Sequence, residues 1–149
     1  MNADISKYLN QQVMTASPAR LVSMLYDKAI SSLKEAIAAI EAGEIEARWK
    51  ANAKALEIIS HMWSTLDIEK GGEIAQNLSD LFSFMLQRLP EVDFKNDPEP
   101  AREVIVLLEP LRDAWRELAR KEQGGGTPPT APQQPGGTPP PHMPTSISA

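Results

Sequence analysis

The chain has no cysteine. That excludes disulfides, thiolate nucleophiles and thiolate zinc sites, and it sits well with a reducing compartment. Aromatic residues make up only 5% of the sequence. The longest apolar run, Val104 to Leu108, is far short of the ~20 residues that cross a bilayer, so no membrane insertion is expected. Met1-Asn2-Ala3-Asp4 opens no basic segment followed by an apolar one, so no signal peptide is expected and the cytosol is the predicted location. There are two histidines, His61 and His142, and no nucleophile elbow, glycine-rich phosphate loop or zinc-protease motif. These absences point away from an enzyme and from any cofactor.

Metal sites fare no better. Glu57 and His61 share a helix face, but a di-metal bundle needs several more inward carboxylates and a second histidine at three-residue spacing. A surface or interfacial histidine is the better reading. Asp67, Glu69 and Glu73 lack the order of a calcium loop and are read as helix-end charges. The net charge of -5 falls wholly before Gln123, and no stripe of lysine and arginine with interleaved aromatics offsets it, so nucleic acid is not an expected partner.

What is present is helical patterning. Ser17-Pro18 reads as an N-cap followed by proline at the first helical position, where the missing N–H costs nothing. From there Val22, Leu25, Tyr26, Ala29, Leu33, Ala36, Ile37 and Ile40 form one stripe, closed by Gly43; Leu21, Met24 and Ile30 lie off it. A second helix over 44–66 places Ile45, Trp49, Leu56, Ile59, Trp63 and Leu66 on one line expected to face the core, with Ile58 and Met62 beside it. Gly71-Gly72 reads as the break before a third helix over 73–89, ended by Pro90. Asp97-Pro98 starts a fourth over 98–121, with Val104, Leu108, Leu111, Trp115 and Leu118 on one face. Pro110 inside it predicts a kink or local break near Val106 to Glu109.

Residues 1–16 form a polar arm with a few apolar anchors, Ile5, Tyr8 and Val13 among them. Residues 123–149 hold eight prolines, five glycines and no charge, and cannot bury enough surface to offset the entropy of ordering. The expected architecture is therefore all-α: an antiparallel up-down four-helix bundle over 17–122, a mobile N-terminal arm, and a disordered tail rich in proline and glycine. Thr-Pro-Pro and Pro-Pro-Pro segments in that tail favour polyproline II, but a solvated extension is the simpler reading.

The apolar faces of helices two and three exceed one core stripe. Ile58 and Met62 with Leu81, Met85 and Phe84 are predicted to line a groove that accepts an amphipathic helix, with the arm occupying part of it in the free protein. The competing reading is a self-associating structural bundle whose surplus faces pair in a homodimer.

Five blocks in order carry a family resemblance: Lys7-Tyr8 with Val13-Met14-Thr15-Ala16-Ser17-Pro18; Met24-Leu25-Tyr26-Asp27-Lys28-Ala29-Ile30; Leu66-Asp67; Gly71-Gly72-Glu73-Ile74-Ala75-Gln76-Asn77-Leu78; and Leu111-Arg112-Asp113-Ala114-Trp115. The sequence from Ile5 to about Lys121 resembles the flagellar secretion chaperone FliS family. The resemblance implies a cytosolic type III export chaperone that binds the C-terminal helical region of flagellin, prevents premature polymerisation and hands the complex to the flagellar export gate. It leaves room for a co-chaperone and a weak homodimer. It also implies that the arm lies over a hydrophobic groove until flagellin displaces it. The residues expected to bind flagellin or seat the arm are Ile5, Tyr8, Val13, Leu21, Met24, Ile58, Met62, Asn77, Leu78, Leu81 and Met85. The proline-rich tail lies outside the resemblance.

Overall fold

In the computed structural model, residues 17–123 are described, and within them the chain forms four long helices and one short one, with no strand. The first helix, α1 (Pro18–Ala42), starts where Ser17 Oγ accepts the Arg20 N–H at 3.2 Å and Pro18 takes the first helical position. It ends on Gly43 at φ 73°, whose left-handed backbone lets its own N–H reach Ile40 O and the Glu44 N–H reach Ala39 O. The next helix, α2 (Ile45–Ser64), therefore turns back immediately. It closes with the Thr65 hydroxyl against the carbonyls of His61 and Met62.

Asp67 caps the following helix, α3 (Ile68–Arg88), by accepting the Lys70 N–H at 3.0 Å. Its first turn is set off from the rest by Gly72, at φ 56° and ψ −134°, a backbone region open only to glycine. The glycine pair thus marks a sharp change of direction, and the helix begins earlier than the expected Glu73. Pro90 does not simply end the third helix. It opens a further short helix that the sequence did not disclose, α4 (Pro90–Lys95), which stops at Asn96 in the left-handed conformation.

The last helix, α5 (Glu99–Gln123), runs unbroken through Pro110, so the expected local break is absent. The reason lies in where the proline sits. Pro110 and Val106, one turn apart, both face solvent, and Val106 is 65% exposed. The carbonyl deprived of its amide partner is then on the wet side of the helix, where water satisfies it and the missing bond costs least.

Cross-helix contacts give the directions. Asp27 meets Arg116 while Glu41 meets Arg102, so α1 and α5 are antiparallel. Trp63 meets Ser79 while Asn52 meets the Leu89 carbonyl, so α2 and α3 are antiparallel. With the tight turn at Gly43 the result is an up-down-up-down bundle, in which α1 packs between α2 and α5 and α3 leans chiefly on α2.

One core joins these helices. Tyr26 and Leu33 of α1, Ile58, Ile59 and Met62 of α2, Phe82 and Met85 of α3, Val92 of α4, and Leu108 and Trp115 of α5 are all buried. Alanines are buried on both of the first two helices, Ala29 and Ala36 on α1 and Ala51 and Ala55 on α2, and small side chains let helix axes approach closely.

The facing of α2 differs from expectation. Ile45, Trp49 and Trp63 point outward and Leu56 is only half-buried, while the core side is Ala51, Ala55, Ile58, Ile59 and Met62. Two polar residues on the core side fix that rotation. Arg48 Nε donates to Asp93 Oδ1 at 3.0 Å and its Nη1 to Asn96 Oδ1 at 2.6 Å. Buried Asn52 Nδ2 donates to Leu89 O at 3.0 Å and to Asp93 Oδ2 at 3.1 Å. Turning the Trp49 line inward would expose alanines and strip these buried groups of their partners, at about 1–3 kcal/mol for each orphaned group.

Candidate functional site

The sequence-predicted site residues do not converge on one open groove. Ile5, Tyr8 and Val13 lie outside the described residues. Ile58, Met62, Leu78 and Met85 are core residues, and Met24 is buried as well. Leu21 and Leu81 are half-buried, and Asn77 is exposed. The groove drawn from Ile58, Met62, Leu81, Met85 and Phe84 is therefore not a surface: three of its members are committed to the bundle interior, and only Phe84 and part of Leu81 reach solvent.

The surplus apolar surface appears instead in two places. The first lies between α3 and α5. These helices are clasped at one point, where Arg88 Nε donates to Glu103 Oε1 at 2.9 Å and Nη2 to Glu103 Oε2 at 2.8 Å. Arg88 Nη1 also donates to Glu91 Oε1 at 2.8 Å. Arg88 sits on the same side of α3 as Leu81 and Ile74, because seven residues are nearly two full turns. From the clasp, Leu81 and Ile74 follow α3 while Leu107 and Leu111 follow α5, with Phe84 and Val106 on the outer rims. Leu81, Leu107 and Leu111 are half-buried against the core, whereas Ile74, Phe84 and Val106 are exposed. Because α3 leans on α2 rather than on α5, its flank here has no close helical neighbour among the described residues.

The second place is the outward line of α2, Ile45, Trp49, Leu56 and Trp63, on the α3 side of the helix. Trp63 Nε1 donates to Ser79 Oγ at 2.9 Å, which ties this line to α3. Among the described residues Phe94 of α4 is the most exposed large apolar side chain, at 85%.

The electrostatics frame these surfaces without supplying chemistry. The Arg88 guanidinium holds the Glu103 carboxyl below its ordinary range, and Lys95, followed by Arg88, does the same for Glu91. Across α1 and α5, Arg116 Nη2 reaches both oxygens of Asp27 at 2.9 Å, with Arg112 Nη1 at 3.5 Å. Among the described residues no group of three or more histidines and carboxylates is assembled for a metal, and no helix is long and apolar enough to cross a membrane. What the helix surfaces do present is exposed apolar side chains, Ile74, Phe84 and Val106 on one side and Ile45, Trp49 and Trp63 on the other.

Sequence reasoning missed Ile74, Leu107 and Val106 as surface residues, together with the outward facing of Trp49 and Trp63. A usable signal was there for the tryptophans: Trp49, Leu56 and Trp63 recur every seven residues, while the Ala51–Ala55 pair marks a closer-packing side of the same helix.

The family described as "Flagellar protein FliS" matches residues 1–122. A protein named "Flagellar secretion chaperone FliS" from Salmonella typhimurium is 42% identical over 110 residues, covering 73% of this chain and 82% of that one. The protein of the same name from Vibrio cholerae is 36% identical over 110 residues, covering 74% and 81%. That from Bacillus subtilis is 29% identical over 116 residues, covering 78% and 86%. The matched region takes in all the described helices except the last residue of α5.

Proposed function

This chain belongs to the FliS family, and on that premise we propose that it is a cytosolic flagellin chaperone. It binds the C-terminal helical region of flagellin, keeps that region from polymerising, and carries it to the flagellar export apparatus. The observation that supports this reading best is the apolar flank between α3 and α5. Ile74, Phe84 and Val106 stand in solvent above half-buried Leu81, Leu107 and Leu111, as an amphipathic client helix requires. Binding would bury surface that the free bundle leaves wet, and the gain offsets the ordering of a client segment that has no fold of its own. Holding a segment in this way needs neither nucleotide nor metal. The mechanism is occupancy: a covered polymerisation helix cannot pair with another flagellin.

The site proposed here replaces part of the predicted one. Leu81 and Asn77 remain candidates, Ile58, Met62 and Met85 act by holding the helices in place, and Ile5, Tyr8 and Val13 are proposed as arm residues that compete with the client. Calorimetric titration with a peptide from the C-terminal region of the cognate flagellin is expected to show saturable one-to-one binding. Replacing Ile74 and Phe84 together with Asp is expected to weaken it at least tenfold while leaving the thermal melt within a few degrees of wild type. No binding of the peptide to the wild-type chain at high micromolar concentration, together with a mass that doubles on concentration by sedimentation, would favour a self-associating bundle instead.

A further inference from the structure

On the α1 side of α5 lies a cleft of about 440 Å³, lined by Asp27, Lys28, Ile30, Ser31, Lys34 and Arg112. That volume falls within the range of about 300–1,000 Å³ over which clefts hold ligands. Helical spacing assembles its α1 wall, since Asp27, Ile30, Ser31 and Lys34 follow one another at three- and four-residue steps and Lys28 lies one turn before Ser31. Arg112 closes it from α5, with Nη1 at 3.5 Å from Asp27 Oδ1. Ile30 is buried and gives an apolar floor. The Ser31 hydroxyl donates to the Lys28 carbonyl at 3.1 Å, so the donors left for a ligand are the cations.

The lining carries three cations against one carboxylate, in a chain of net charge -5. That carboxylate is already engaged, because Arg116 Nη2 reaches both oxygens of Asp27 at 2.9 Å. Arg112 Nε donates to Asp113 Oδ1 at 3.0 Å, which holds the guanidinium in place with further N–H groups to spare. The ammonium groups of Lys28 and Lys34 have no ion-pair or hydrogen-bond partner among the described residues, although Lys28 is half-buried. Lysines elsewhere on the helices meet a carboxylate four positions away: Lys50 pairs with Glu46, Lys95 with Glu91 and Lys121 with Glu117. Lys28 and Lys34 line the cleft instead.

Six residues put Lys28 and Lys34 about 9 Å apart along α1. A single phosphate or carboxylate cannot meet both without drawing two ammonium groups together against their repulsion. In an extended peptide, side chains two positions apart stand on the same side about 6.8 Å from one another, and the flexible lysine stems take up the difference. We propose that this cleft binds an acidic segment of a partner protein in extended form, with two carboxylates two positions apart on Lys28 and Lys34 and the Arg112 guanidinium facing them from α5. The site uses no residue of the flank between α3 and α5 and takes a ligand of opposite character. It therefore stands or falls apart from the flagellin reading.

The test titrates the peptide acetyl-Glu-Ala-Glu-Ala-amide into the nitrogen-15-labelled full chain and follows the backbone amide signals. Saturable shifts are expected at residues 27–34 and around Arg112, and they should weaken as salt is raised. The matched peptide acetyl-Gln-Ala-Gln-Ala-amide is expected to produce none. Lys28→Gln and Lys34→Gln together are expected to weaken binding about fivefold or more, with the amide spectrum away from the cleft unchanged. Equal binding of the glutamine peptide, shifts centred on other helices, or undiminished binding by the double variant would each overturn the proposal. So would inorganic phosphate that gives the same shifts over the same concentrations, since the cleft would then attract anions of any shape. No flagellin enters the experiment, so its failure leaves the reading of the flank untouched.

Discussion

Asn52 and Asp93 are joined across the bundle: buried Asn52 Nδ2 donates to Asp93 Oδ2 at 3.1 Å and to the Leu89 carbonyl at 3.0 Å. One amide thus holds the junction of α3 and α4 against the middle of α2, and Arg48 seals the same carboxylate from the other side. Removing the amide orphans a carbonyl and half of a carboxylate in a largely dry place. Asn52→Ala is expected to cost about 1–3 kcal/mol, read as a lower urea midpoint at unchanged slope.

Gly72 occupies a conformation at φ 56° and ψ −134° that a side chain resists, although an added Cβ would meet no atom within 4 Å. The cost of Gly72→Ala is therefore all backbone strain, about 1–3 kcal/mol. Chemical denaturation measures it. An unchanged midpoint would mean that the turn relaxes into an ordinary helix.

The tryptophans are expected to divide sharply. Trp115 is wholly buried in the core and Trp49 more than half exposed. Trp115→Ala should destabilise the bundle by about 3–5 kcal/mol, whereas Trp49→Ala should stay within about 0.5 kcal/mol. Equal losses would contradict the rotation of α2 described above.

Acid should loosen the clasp between α3 and α5. Arg88 holds the Glu103 carboxyl below its ordinary value of 4.5, so the native state favours the charged form. The stabilisation from this group is present above the unfolded value and is lost as pH falls through the folded one. Melting temperatures taken downward from pH 5 should drop less steeply in Glu103→Gln than in wild type, because the variant has no carboxylate to protonate. Parallel curves would remove Glu103 from the acid response.

Much of the fold was legible because its signals are local. Ser17-Pro18, Gly43 and Gly71-Gly72 report backbone states within a few residues, and they mark the ends and turns of α1, α2 and α3. The short α4 was not legible, since its anchors, Asp93 to Arg48 and Asn96 to Arg48, lie more than forty positions away in the chain. The candidate site was legible only in part. Hydrophobic periodicity shows that α2 and α3 carry more apolar residues than one stripe, but not which side turns inward.

The sequence by itself determined a helical, cysteine-free chain with one acidic folded segment, an uncharged proline-rich extension, and more apolar helix surface than a four-helix core consumes. Tertiary structure alone decided how that surface was divided. Close packing at the buried alanines and the partners of buried Arg48 and Asn52 draw Ile58 and Met62 inward and leave Trp49 and Trp63 in solvent. Pro110 followed the same logic: its local preference for a break gave way because its place on the wet side of α5 let water take up the lost hydrogen bond. Local chemistry sets which elements form, and the competition among distant groups for one dry interior sets which faces remain for a partner.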